Sequence, residues 1–131
     1  MKFIPLLVTV SILLAFLYIK NADTSPHTQA FYTALENFTY VAEPKGQDKH
    51  LRYTTHTKPF SGDCEDFAFT LQTAIGGEVW AVEHDGPIKH AVLLSGGIVY
   101  DNFHQLPIPK SKYPTEFIAP LKFRGKIINN Q

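Results

Sequence analysis

Three side chains in this sequence are of the types needed to open an amide bond: the single cysteine, Cys64, the imidazole of His90 and the carboxylate of Asp101. In such a set the thiolate attacks an acyl carbon and the imidazole takes and returns the proton. The carboxylate fixes the ring tautomer and stabilises its charged form. Cys64 follows Ser61-Gly62-Asp63, a capping sequence that predicts a helix start. Unpaired backbone N–H groups and the positive end of the helix dipole favour a thiolate there. Asp63, Glu65 and Asp66 crowd the same turn and act the other way, so an imidazolium partner is needed to hold the charge at neutral pH. Without that partner Cys64 reads as a small buried apolar residue. Its backbone N–H is one candidate oxyanion donor, with Gln47 and Tyr53 upstream as candidates for the second.

The elements around these residues have to bring them together. The nucleophile helix runs from Asp63 to the Gly76-Gly77 stop, with acids in its first turn and an apolar face of Cys64, Phe67, Ala68, Leu71, Ala74 and Ile75. Three stretches rich in β-branched and aromatic residues follow, at 78–84, 88–95 and 98–103. Asp85-Gly86-Pro87 separates the first two, and Gly96-Gly97 is a two-residue hairpin turn between the others. That turn fixes a register in which Ser95 faces Ile98, Leu94 faces Val99, Val92 faces Asp101 and His90 faces Phe103. Alternation then puts His90, Val92, Leu94, Val99, Asp101 and Phe103 on one face, with His90 and Asp101 diagonal neighbours about 7 Å apart or less. Asn102 points to the opposite face, and a one-residue slip would exchange it with Asp101. If the Cys64 helix packs on the His90 face, the three groups converge.

Elsewhere, Thr24-Ser25-Pro26 starts a helix over residues 26–38 whose Ala30, Phe31, Ala34, Leu35 and Phe38 recur at helical spacing. Residues 39–60 read as loop with one short strand near Leu51 to Thr55. Residues 116–128 read as one or two further strands, the first pushed towards an edge by Pro120. The fold class expected is α+β, a nucleophile-bearing helix packed on a small antiparallel sheet.

From Phe3 to Ile19 the chain has no charged residue and Lys2 and Lys20 bracket it, which marks a signal anchor or signal peptide over residues 1–21. The domain proper is then 22–131. Removing Lys2 and Lys20 from the 12 basic residues leaves ten against 12 acidic ones, so an exported domain would be slightly acidic. The weak charge bias favours the N-terminus inside: a single-pass inner-membrane protein with a periplasmic domain, or a secreted one if the segment is cut. The balanced total charge gives no basic excess for nucleic acid, and a lone cysteine excludes a disulfide framework or a CxxC metal or redox site. Content of 44% hydrophobic, 13% aromatic and 18% charged residues excludes a disordered chain.

GDCEDFAFTLQ (Gly62 to Gln72) followed by KHAVLLSGGIVYDN (Lys89 to Asn102) resembles the bacterial transglutaminase-like cysteine peptidases, the group that includes periplasmic calcium-dependent adhesin-cleaving proteases. The resemblance implies a papain/transglutaminase-like core, a Cys64, His90 and Asp101 triad, and a protein or peptide substrate. It also implies calcium on the acids flanking the cysteine, Asp63 and Glu65, though the chemistry of the triad itself requires no cofactor. Three other readings compete. A zinc site of His84, His90 and His104 with Asp101 lacks the short ligand spacings that preposition a metal. A peptidoglycan amidase or acyl transferase would use the same triad. A membrane-anchored binding or accessory domain would retain the core without the chemistry.

Overall fold

The computed structural model describes residues 25–43, 49–86 and 89–131. The expected anchor or signal helix at 1–21 lies outside the described residues, as does Gln47. Among the described residues no helix is long and apolar enough to cross a membrane.

The chain is a mixed α+β fold. Helix α1 (Pro26–Asn37) leads into β1 (Phe38–Tyr40), and β2 (His50–Tyr53) and β3 (Phe60–Gly62) precede helix α2 (Cys64–Ile75). After α2 come β4 (Glu78–Glu83), β5 (Lys89–Ser95), β6 (Ile98–Tyr100), β7 (Ile108–Pro109), a 3-10 turn at Lys110–Lys112, β8 (Phe117–Leu121) and β9 (Gly125–Ile128). The main sheet is antiparallel, in the order β7-β6-β5-β4-β8. Two small parallel pairs, β1 with β3 and β2 with β9, flank it. Pro120 lies in β8, an edge strand, where its missing N–H costs no ladder bond.

Helix α2 is the centre of the molecule. Six consecutive residues, Asp66 to Leu71, are buried, so the middle of this helix is enclosed on every side, where the sequence pattern indicates a single apolar face. Ala74 is exposed, off the packed surface. Phe67, fully buried, meets Phe31 of α1, Phe38 of β1 and Phe60 of β3 at ring distances of 5.0 to 6.2 Å. On the far side, β2 is tied to the helix by side chains: Leu51 N–H donates to Asp66 Oδ1 at 2.7 Å and Tyr53 N–H to Thr70 Oγ1 at 3.1 Å. Arg52 donates to the Phe69 carbonyl and to Gln72 Oε1, with its guanidinium 4.3 Å from the Phe123 ring. Truncating Phe67 to alanine is expected to cost about 3–5 kcal/mol in urea unfolding, because three aromatic rings from separate elements lose their common contact.

The hairpin register is as the glycine pair dictates: Ser95 with Ile98, Leu94 with Val99, then Leu93 with Tyr100. Gly96 and Gly97 both have positive φ, at 59° and 78°, which a two-residue turn of this kind requires. Two expectations are corrected. The third strand stops at Tyr100 instead of Phe103, so Val92–Asp101 and His90–Phe103 are not ladder pairs. Helix α2 also packs on the other face of β5: Ala91 and Leu93 join Phe67, Ala68 and Leu71 in the main core, and Ser95 Oγ donates to the Ile75 carbonyl. Val92 and Leu94, on the His90 face, join Val82, Val99, Trp80, Tyr113 and Phe117 in a second cluster. Both faces of β5 are covered, so alternation along the strand says which residues share a face but not which face the helix takes.

Candidate active site

Asp63 caps α2, its Oδ1 accepting from the N–H groups of Glu65 and Asp66, while Asp66 Oδ2 accepts from Asp63 N–H at 3.0 Å. This reciprocal box makes Cys64 the first residue of the helix, with its N–H among the unpaired donors there. Gly62 has φ of 153°, and a Cβ on it would run into the Asp66 carboxylate. Gly62→Ala is therefore expected to lower stability by about 1–3 kcal/mol, seen as a fall in Tm, and to loosen the turn that aims the thiol.

In a two-residue hairpin the bonded pairs alternate, so after Ser95/Ile98 and Leu93/Tyr100 the next would be Ala91 with Asn102. The chain leaves the sheet at Asp101, and the released Ala91 N–H donates instead to Cys64 Sγ at 3.4 Å. The thiol thus sits at the gap where β6 ends, beside the residue that follows His90. This is why a helix on the opposite face of β5 still delivers its first side chain to this end of the sheet. Burial pushes the Cys64 thiol up to about 12, with the charges of Asp63 and Glu65 adding to the rise and the Ala91 N–H opposing it.

His90 is 3% exposed and its Nε2 stands 3.4 Å from Asp101 Oδ2, an ion-pair contact without the alignment of a hydrogen bond. Its Nδ1 is buried and has no hydrogen-bond partner among the described residues. The Phe103 ring stacks on the imidazole at 4.2 Å and 10°, and His84 flanks it at 5.8 Å. Asp101, 2% exposed, is the most heavily bonded side chain here. Phe103 N–H and His104 N–H donate to Oδ1 at 3.0 and 2.6 Å, and Tyr113 O–H to Oδ2 at 2.6 Å. His104 Nδ1 also lies 2.8 Å from Oδ2. Burial alone raises the Asp101 carboxyl, but the His90 contact and the bonds from Tyr113 and His104 outweigh burial and hold it below the usual carboxylate range. Asn102 Oδ1 finds no hydrogen-bond partner among the described residues.

Tyr113 and His104 as partners of Asp101 have no signal in the sequence, since both lie in irregular segments without period. Tyr53, a candidate oxyanion donor, gives its hydroxyl to the Ser61 carbonyl at 2.7 Å. Tyr40, exposed on β1, lies close enough for the charges of Cys64 and Asp63 to raise its phenol further, after burial. Of the acids implied to hold calcium, Glu65 faces His50, Oε2 to Nε2 at 2.9 Å, while Asp63 offers a carboxylate oxygen within 4.8 Å of those of Glu43 and Asp66, a spacing that could hold a metal ion. Of the groups in the zinc reading, His90 Nε2 and His104 Nδ1 stand 3.4 and 2.8 Å from Asp101 Oδ2 and His84 pairs with Asp85 at 3.7 Å, but among the described residues their ligand atoms do not all come within 4.8 Å of one another.

Comparison with protein-family models, with curated proteins and with solved structures yields no match.

Proposed function

We propose that this chain is a thiol hydrolase of papain/transglutaminase-like architecture that cleaves protein or peptide amide bonds. Cys64 is the nucleophile, His90 the general base and then acid, and Asp101 the orienting carboxylate. The observation that carries this reading is a buried imidazole whose Nε2 stands 3.4 Å from a buried carboxylate and whose Nδ1 has no hydrogen-bond partner among the described residues, with a helix-start cysteine bonded to the backbone of the residue that follows that histidine. With Nε2–H directed at Asp101, Nδ1 carries the lone pair that accepts the thiol proton. Sγ then adds to the carbonyl carbon, with Cys64 N–H facing the developing oxyanion. The C–N bond breaks as His90 returns the proton to the leaving amine, and water, deprotonated by His90, releases the acid from the thioester. In this reading residues 1–21 anchor the domain in the inner membrane with 22–131 in the periplasm, or are cut to release it.

A second reading, an anchored binding domain that retains the core, is favoured by one observation: the thiol is raised by burial and bonds to Ala91, not to an imidazole. Incubating the domain with a diverse peptide mixture and reading new termini by mass spectrometry separates the two. Hydrolysis lost in Cys64→Ala supports the enzyme. An unchanged mixture together with an inert thiol supports the binding domain.

A further inference from the structure

Asp101 serves two imidazoles, not one. Oδ2 is 3.4 Å from His90 Nε2 and 2.8 Å from His104 Nδ1, and it accepts the Tyr113 hydroxyl at 2.6 Å. The two rings differ in access to water: the His90 side chain is 3% exposed and that of His104 is 41% exposed. We propose that His104 is a positioning residue for the thiol site, acting on His90 through Asp101. Its neutral ring supports the carboxylate, and its protonated ring withdraws that carboxylate from His90. The proposal rests on the thiol-hydrolase reading for its consequence, but the coupling between the rings is a property of the fold.

A neutral His104 donates Nδ1–H to Oδ2 and leaves the full negative charge of Asp101 facing His90. When water protonates the outward side of His104, the new positive charge sits against the same oxygen and opposes charging of His90. Among the described residues, these groups surround the pair. Asp101 ends β6, Tyr113 follows the 3-10 turn with its ring 5.5 Å from His104, His84 flanks His90 from the end of β4, and Cys64 opens α2. Tyr113 does not compete for the role, because burial and its bond to Asp101 both raise its phenol, so it stays a neutral donor. The reactive form needs a charged His90 beside a thiolate. A protonated His104 therefore weakens the site through the Asp101 oxygen that the two rings share.

The test is His104→Gln, which keeps a neutral amide donor and removes the titration. Iodoacetamide alkylation of Cys64 is followed from pH 5.5 to 8, and the ring protons of His90 by NMR over the same range. The ratio of the rate at pH 5.5 to that at pH 8 is expected to rise at least about threefold in His104→Gln. The pH at which His90 takes its proton should move upward in the variant. Superimposable His90 titrations in wild type and variant overturn the proposal whatever the thiol does. A displaced His90 titration with a wild-type thiol no more reactive than that of His90→Ala keeps the coupling and removes the hydrolase reading. A reactive, His90-dependent thiol whose pH profile ignores His104→Gln removes the proposal and keeps the reading.

Discussion

Replacing His90 with alanine is expected to slow alkylation of Cys64 at neutral pH by about a thousandfold or more, and to abolish peptide turnover as completely as Cys64→Ala does. The size follows from the environment of the thiol. Burial leads the rise of its pKa to about 12, and Asp63 and Glu65 add to it. Alone, such a thiol is almost wholly protonated at pH 7, and the Ala91 and Glu65 N–H groups that favour its anion do not offset the rise. In the proposed mechanism a His90 imidazolium is the group that reverses that balance. In His90→Ala the remaining reactivity should rise steadily with pH into the alkaline range, as expected of an unassisted thiol. Loss of turnover in both variants should reach roughly 10⁴-fold or beyond, because nucleophile and base act as one unit and the second removal adds little. If His90→Ala alkylates as fast as wild type at pH 7, the imidazole does not serve the thiol.

Asp101→Asn is expected to lower turnover by roughly 10³ to 10⁴-fold and also to destabilise the fold, a combination that Asn102→Ala should not show. The carboxylate accepts four hydrogen bonds within the described residues and contacts His90 as well. An amide there can accept at one atom only, and its NH₂ would face the Tyr113 hydroxyl or the His104 N–H, leaving buried donors opposed at about 1–3 kcal/mol each. The pH dependence has a definite sign. The folded Asp101 carboxyl titrates below its unfolded value near 4, so its contribution is fully present above about pH 4 and is lost as pH falls from there. Wild type should lose stability through that acid window, and Asp101→Asn should lack this component when urea unfolding is compared at pH 3 and pH 6. Asn102 offers a buried oxygen with no partner, so its truncation should change turnover less than about threefold. Equal damage from the two substitutions would mean that the third member of the site had been assigned one residue out.

The elements that hold the thiol, the imidazole and the carboxylate were largely legible in local sequence. A capping acid, an acidic first turn and a glycine stop define α2, and the cap proves to be a reciprocal box between Asp63 and Asp66. Two adjacent glycines define the hairpin and its register. A period of two separates Asp101 from Asn102 in the sequence, but β6 ends at Tyr100, so Asp101 meets His90 from just beyond the strand and not from a ladder position. The face on which α2 docks was not legible, since His90, Ala91, Val92 and Leu93 are all buried and a strand covered on both sides has no polar face to exclude. The parallel pairings of β1 with β3 and β2 with β9 depend on contacts between segments remote in sequence, and short strands of mixed character carry no sign of a distant partner. Tyr113 and His104 escaped for the same reason: what matters about them is a shared oxygen on Asp101, which no spacing encodes. The acids beside the cysteine part company for a simpler reason. Residues next to one another at a helix start point in different directions, so Asp63 turns back to cap the helix while Glu65 turns to His50.

The central claim is that His90 and Cys64 exchange a proton, and thiolate absorbance in the ultraviolet tests it most directly because Cys64 is the single cysteine. Titrating wild type and His90→Ala from acid to alkaline pH, with Cys64→Ala as the blank, reports that one thiol without a substrate. The account predicts a thiolate signal in wild type at neutral pH that is absent from His90→Ala, whose thiol should ionise only towards the burial-raised value of about 12. Wild type and His90→Ala titrating together at high pH would contradict it and leave Cys64 as a buried core thiol.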